Sequence, residues 1–289
     1  MKAVGYYHPL PISDDQALVE LELPTPTLRP HDLLVRVHAV SVNPVDVKQR
    51  AAAAPPAGAA RVLGFDAAGV VEAVGPQVSL FRPGDAVFYA GAIDRPGSNA
   101  ELQAVDERIV GPKPVTLSFA QAAALPLTSL TAWELLFDRL RVPHGEATTG
   151  DAILIVNGAG GVGSVLTQIA RRLTGLTASA QHHAAIVESL APQGALALID
   201  DPKTFDVVPF KRKSLSVHWE LMFTRSLFGT PDIAAQHRIL AEVSALVDRG
   251  VLRSTLHDEG GALTAENLRR AHAAVESGRS IGKLVLAGV

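Results

Sequence analysis

The chain is expected to be an α/β protein of two parts, one strand-rich and one built on a parallel sheet. Three observations lead there. Short β-branched runs punctuated by Pro, Gly and Asp fill the first hundred residues. Strand and helix patterns alternate after position 150, which closes a sheet with parallel strands. Within that second part the apolar stretch AILIVNGAGGVGS (152–164) runs into a glycine cluster and then into a helical period, VLTQIARRL.

In order along the chain, ALVELELP, DLLVRVHAVSV, GVVEAVG and DAVFYA read as strands. The segment AAAAPPAGAA (51–60) has low complexity and two prolines, and reads as a loop. At Ser118 the period turns helical, with Ser118 as N-cap and Pro126 separating two helices. Residues 151–157 then form a buried strand, 161–173 a helix, QHHAAIVESLAPQG a helix closed by Gly194, and ALALID a second buried strand. SLSVHWELMF is a further strand, 233–250 an amphipathic helix, TAENLRRAHAAVESG a helix starting at Thr264, and GKLVLAG a closing strand. No internal repeat is present.

Composition narrows the function. A hydrophobic content of 47 % against 19 % charged residues describes a globular chain that buries a core. The net charge of −3 supplies no basic excess for a nucleic-acid backbone, so nucleic acid is excluded as a main partner. The absence of cysteine removes disulfides, thiolate metal sites and a cysteine nucleophile together. No apolar run reaches the ~18 residues of a membrane span, and the first residues, MKAVGYYHPLPI, carry no continuous apolar region. The cytoplasm is the expected compartment. No G-x-S-x-G is present for a serine-hydrolase elbow.

Gly158, Gly160 and Gly163 fit G-x-G-x-x-G between a strand and a helix. In that pattern the first glycine permits a tight turn, the second lets backbone approach a diphosphate, and the third allows close helix–strand packing. The helix start offers unpaired N–H groups to negative charge. The same pattern asks for an acid about 20 positions on for the ribose of NAD, or an arginine for the extra phosphate of NADP. The sequence there is AQHHAA and supplies neither. TGLTASAQ is also too short and polar to be read as the second strand of the unit.

Seven stretches in order carry a family resemblance: VSVNPVDVKQR, LGFDAAGVVEAVG, RPGDAVFYAG, GSNAELQAVDE, AAALPLTSLTAWELL, VNGAGGVGSVLTQIAR and GKLVL. Together they cover nearly the whole chain and resemble the medium-chain dehydrogenase/reductase superfamily, most closely its zinc-free quinone oxidoreductase branch. The resemblance implies a GroES-like catalytic domain from residues 1–122 and 255–289, clasping a Rossmann-type cofactor domain at 123–254. Roughly forty to fifty residues of the usual cofactor domain are missing after about residue 176, somewhat more than one βαβ unit of ~30 residues. A smaller sheet, a longer chain than this one, and a protein that has lost catalysis each account for the shortening.

The resemblance further implies an NADPH-dependent hydride transfer to a quinone or small conjugated carbonyl, and a homodimer joined through SLSVHWELMF. It places Asn43 and Thr128 at the nicotinamide end, and Gly158, Ala159, Gly160, Gly161, Val162 and Gly163 at the diphosphate. The three positions that hold catalytic zinc in metal-bearing relatives are Asn43, Phe65 and Leu127, which cannot supply the N/S/O ligand set zinc requires. No general acid is assigned, because solvent can protonate the product. The rival expectation is a catalytically silent structural or binding protein on the same fold. Among other candidates, Asp66 is expected as a buried acid bonded to nearby backbone and Tyr89 as a packed strand tyrosine or a substrate contact. Trp219 and Phe223 are expected in a core or interface, Lys283 near the cofactor or, by preference, as a solvated lysine at a strand start, and His182 and His183 on the surface.

Overall fold

The computed structural model describes residues 1–143, 152–173, 177–179 and 186–288. Asp151, His182 and His183 lie outside that set. The chain divides into two compact units, Met1–Leu127 with Phe223–Val289, and Thr128–Met222.

The first unit opens with β1 (Lys2–Tyr6), β2 (Val19–Glu22), β3 (Asp32–Ser41), α1 (Pro44–Ala52), β4 (Arg61–Val62), β5 (Asp66–Val74) and β6 (Ala86–Tyr89). It continues through β7 (Leu102–Asp106), β8 (Val110–Pro112) and α2 (Phe119–Ala123), and the first turn of α3 (Pro126–Trp133). β2, β1 and β4 form a small antiparallel sheet. β3, the longest strand, pairs antiparallel with both β5 and β7.

Alternation along these strands decides what faces what. Val40 lies opposite Ala67, and Ala67 opposite Tyr89, and all three enter the main hydrophobic core. Side chains alternate across a strand, so the next register pair, Ser41 and Asp66, points to the opposite face. Ser118 caps α2 by accepting from the Gln121 N–H, and Pro126 opens α3, as the sequence predicts.

The second unit contains the rest of α3, a π-helical turn (Glu134–Arg139), β9 (Ala152–Leu154), α4 (Gly161–Leu173) and β10 (Thr177–Ser179). α5 (Ile186–Ser189), β11 (Ala195–Leu198) and β12 (Ser216–Trp219) complete it. α4 has the predicted bounds and buries Val165, Leu166, Ile169 and Ala170. Two expectations change. TAS within TGLTASAQ does form a strand, pairing parallel with β9. The strands expected to be buried are so only in part: Ala152 is exposed, Ile153 and Leu154 are half-buried, Ile155 just past β9 is buried, and β11 is half-buried throughout. Among the described residues β9 pairs only with β10 and β11 only with β12, two short parallel pairs in place of one continuous sheet.

The chain then returns to the first unit with α6 (Thr224–Phe228), α7 (Ala235–Asp248), β13 (Leu256–Ala262), α8 (Ala265–Glu276) and β14 (Lys283–Ala287). β14 pairs with β3 and β13, adding two strands to the main sheet. α7, expected with the cofactor part, packs instead on β8 of the first unit. A Cβ at Gly111 would lie 2.4 Å from that of Leu240, and His237 Nδ1 is 2.7 Å from the Val110 carbonyl. Thr264 caps α8, which places Leu268 and Ala271 in the main core.

Candidate active site

The glycine turn lies in the second unit. Its left-handed residue is Asn157 (φ 58°), whereas none of Gly158, Gly160, Gly161 and Gly163 has positive φ. Asn is among the few residues that enter this region at low cost. Asn157 therefore makes the sharp turn that the pattern assigns to the first glycine. The Asn157 carbonyl accepts from Gly160 N–H (3.1 Å), and the Gly160 carbonyl accepts from Ser164 N–H (2.8 Å) as α4 begins. Ser164 Oγ bonds the Ala159 carbonyl at 3.2 Å.

The glycines differ in what they permit. A Cβ on Gly163 would sit 2.2 Å from the Asn157 carbonyl oxygen and 2.7 Å from Gly158 Cα, so only glycine fits where the helix meets the turn. On Gly160 it would meet Asn157 Nδ2 at 2.9 Å, and on Gly158 only Thr167 Oγ1 at 3.9 Å. Ala159 is exposed, and Gly160, Gly161 and Val162 are half-buried. The N–H groups of the first helical turn have no intrahelical acceptor, so they present partial positive charge to an anion. The turn fits a diphosphate. Thr128, expected at the nicotinamide end, is buried in α3 of this same unit.

Asn43 lies in the first unit, directly after β3, as the N-cap of α1 with Pro44 behind it and Asp46 three residues on. Asn-Pro-x-Asp is the helix-start signal that sequence reading of this strand-rich region passed over. Asp46 Oδ2 accepts from Asn43 N–H (2.8 Å) and Oδ1 from Gly64 N–H (3.0 Å). Gly64 is irreplaceable there: its φ is 101°, and a Cβ would sit 2.6 Å from both Ser98 Oγ and Asn99 Oδ1. Burial pushes the Asp46 carboxyl up to about 7, against the lowering effect of those N–H bonds and of Lys283.

Behind Asn43 lies a buried polar cluster. Asn43 Nδ2 donates to Asp66 Oδ2 at 2.8 Å and, at 3.3 Å, to the Ser41 carbonyl. Asp66 Oδ1 accepts from Leu127 N–H at 2.7 Å. Lys283, expected in solvent, is only 4 % exposed. Its ammonium donates to the Val42 carbonyl (3.0 Å) and to Asn43 Oδ1, and pairs with Asp66 Oδ2 at 3.1 Å. An ammonium has three hydrogens, and three acceptors meet them.

The three positions equivalent to zinc ligands do not form a metal site. Asn43 is committed to Asp66 and Lys283, Phe65 is buried against Phe223 with ring centroids 5.0 Å apart, and Leu127 offers only a buried hydrocarbon. No cluster of three or more potential metal ligands exists among the described residues. Zinc does not fit this donor set. Tyr89 packs wholly in the core with its hydroxyl unpartnered, so it does not reach a cleft, while Phe223 is buried and Trp219 is half exposed.

Comparison with known proteins adds a frame to this geometry. An alcohol dehydrogenase GroES-like domain model matches residues 29–126, and a zinc-binding dehydrogenase model matches 144–286. The crystal structure of a putative zinc-dependent alcohol dehydrogenase protein from Rhizobium etli superposes with a TM-score of 0.95 and 51 % identity, covering 100 % of this chain and 98 % of that one. A zinc-type alcohol dehydrogenase-like protein of Staphylococcus aureus is 36 % identical over 99 % of both chains. That alignment runs to 335 positions against 289 residues here, so at least 46 positions have no counterpart in this chain. An NADPH-dependent alkenal/one oxidoreductase of Arabidopsis thaliana is 30 % identical, over 94 % of this chain and 76 % of its own length.

Proposed function

The chain belongs to the medium-chain dehydrogenase/reductase superfamily, and from that premise we propose that it is an NADPH-dependent, metal-independent oxidoreductase acting on a quinone or small conjugated carbonyl. The observation that carries this reading is the turn from β9 into α4. There Gly163 has no room for a Cβ, and the N–H groups of the first turn of α4 (Gly161–Leu173) have no acceptor within the helix, which suits them to a diphosphate. When bound, NADPH supplies the hydride. The backbone at Gly158, Ala159, Gly160, Gly161, Val162 and Gly163 binds and orients it, and Asn43 and Thr128 line its nicotinamide end. A solvent proton completes the product, so no side chain need serve as general acid.

The choice of NADPH over NADH rests on the Arabidopsis relative, which is named for NADPH; the AQHHAA stretch supplies neither the acid of an NAD site nor the arginine of an NADP site. The substrate class rests on that relative's name together with the misfit of zinc to Asn43, Phe65 and Leu127. A cysteine-free chain suits the reducing cytoplasm, and no helix among the described residues is long and apolar enough to cross a membrane.

A second reading has its own observation. Among the described residues, the two separate strand pairs of the second unit, with half-buried strands, suit a silent protein that keeps the fold and has lost the nucleotide. Titration of NADPH against the fluorescence of Trp133 and Trp219 separates the two. Saturation in the micromolar range is expected, and no binding up to millimolar favours the silent protein. The homodimer is proposed through β12, whose outer edge is unpaired among the described residues and whose Trp219 is 51 % exposed beside Leu221 at 50 %. Light scattering should give twice the 30.4 kDa chain mass, and a monomer would remove this assembly.

A further inference from the structure

We infer that Asn157 is a site of self-modification, whose amide is lost to attack by the Gly158 backbone nitrogen and whose acidic product closes the diphosphate turn to NADPH. The loss of affinity rests on the proposal that this turn holds the diphosphate. The chain has four asparagines, Asn43, Asn99, Asn157 and Asn267, and three of them are shielded. Asn43 precedes Pro44, which has no N–H to attack with. Asn99 is buried. Asn267 is held at both ends of its amide, Nδ2 donating to the Ala262 carbonyl (2.8 Å) and Oδ1 accepting from Arg270, and the bulk of Leu268 follows it. Asn157 alone precedes a glycine, and it is exposed. Among the described residues neither its side-chain amide nor the Gly158 N–H has a hydrogen-bond partner. Only Thr167 Oγ1, at 3.9 Å, comes near the place of a Gly158 Cβ, so nothing crowds the attack.

The step needs only water. The Gly158 nitrogen bonds to Asn157 Cγ, the Cγ–Nδ2 bond breaks, and ammonia leaves with the proton from Gly158, closing a cyclic imide. Water then opens either carbonyl–nitrogen bond of the ring, giving aspartate or, with an extra methylene in the backbone, isoaspartate. Nothing is oxidised or reduced. Asn157 Nδ2 lies 2.9 Å from the place of a Gly160 Cβ, so the new carboxylate forms at the entrance to α4. There it meets the same unpaired N–H groups that suit a diphosphate, as a capping acid does. It both occupies them and repels the phosphates. The turn itself tolerates the change, because Asp enters the left-handed region, here at φ 58°, much as Asn does.

The test ages the full chain in warm, mildly alkaline buffer and follows each asparagine by peptide mass spectrometry. Asn157 should convert to acid before Asn43, Asn99 and Asn267, and at a rate within about thirtyfold of that in a free peptide of the same sequence, as a turn that opens easily allows. Stronger protection than that, or earlier conversion elsewhere, overturns the inference. NADPH at a hundredfold excess over its Kd should slow the conversion about a hundredfold, because only the unliganded turn reacts. The converted chain and fresh Asn157→Asp should both bind NADPH at least about tenfold more weakly than fresh wild type. Asn157→Gly, which takes the turn without an amide, should keep through ageing whatever affinity it starts with. A converted chain that binds NADPH as fresh chain does also overturns the inference. If the wild type binds no NADPH while Asn157 converts at the expected rate, the proposed function fails and the modification stands.

Discussion

At the scale of single residues, the third glycine of the turn and not the first should be the one that cannot change. A methyl at Gly163 would press on the Asn157 carbonyl and Gly158 Cα, both backbone, so the turn must open. Gly163→Ala is expected to weaken NADPH binding at least tenfold in the fluorescence titration, since the diphosphate N–H groups lose their alignment. Gly158→Ala, with open space at its Cβ, should bind within about threefold of wild type. Equal losses in both variants would show that the turn does not hold the ligand in this way. The glycine spacing was legible in the sequence, but its division of labour was not. The turn's left-handed conformation passed to Asn157, a substitution that Asn tolerates and the pattern does not record. Lys283 was misplaced for a related reason: its partners Val42, Asn43 and Asp66 lie far away in sequence, and nothing in GKLVL announces them.

At the scale of elements, α1 and α8 meet in the first unit, where buried Arg50 pairs with Glu276 and donates to the Leu10 carbonyl. His272, one turn before Glu276, is fully buried with both ring nitrogens unpartnered. Burial, reinforced by the Arg50 charge, lowers its pKa to about 3 from an ordinary value near 6.5. In the window between those values the unfolded chain takes up a proton that the folded chain refuses. Stability tied to His272 is therefore complete above about 6.5 and is lost as pH falls toward 3, at about 1.4 kcal/mol per pH unit. His272→Leu removes this penalty and an unsatisfied polar ring. It should leave stability at pH 7 within about 1 kcal/mol of wild type and exceed it by about 2 kcal/mol at pH 5. Denaturant melts of the two proteins at both pH values give the comparison, and parallel pH profiles would contradict it. Helices α2, α4, α7 and α8 were readable from caps and period. α1 and β13 were not, because Pro44 follows a strand without a loop and HDEGGA carries none of the residues that mark strands.

At the scale of the whole molecule, the two units differ in how well they are closed. The first has a seven-stranded sheet with a buried core on its inner face. Among the described residues the second holds two short parallel pairs, with Ile199 40 % and Trp219 51 % exposed. Less buried apolar surface means less stabilisation per residue. Calorimetry should resolve two transitions, the lower one belonging to residues 128–222. NADPH at a hundredfold excess over its Kd should add about 2.7 kcal/mol to that unit. A single transition unmoved by NADPH would contradict both the difference and the ligand's location. The existence of two parts was plain from the switch in periodicity near Ser118. Their composition was less so, since α7 carries a period that any core-facing helix shares and only its contact with Gly111 and Val110 reveals its unit.

The account depends on a diphosphate held by the first turn of α4, and amide hydrogen exchange reports on those N–H groups directly. Exchange measured with and without saturating NADPH should slow at residues 161–163 by at least tenfold, with β1 to β3 unchanged. NADPH binding that leaves exchange at 161–163 untouched would contradict it.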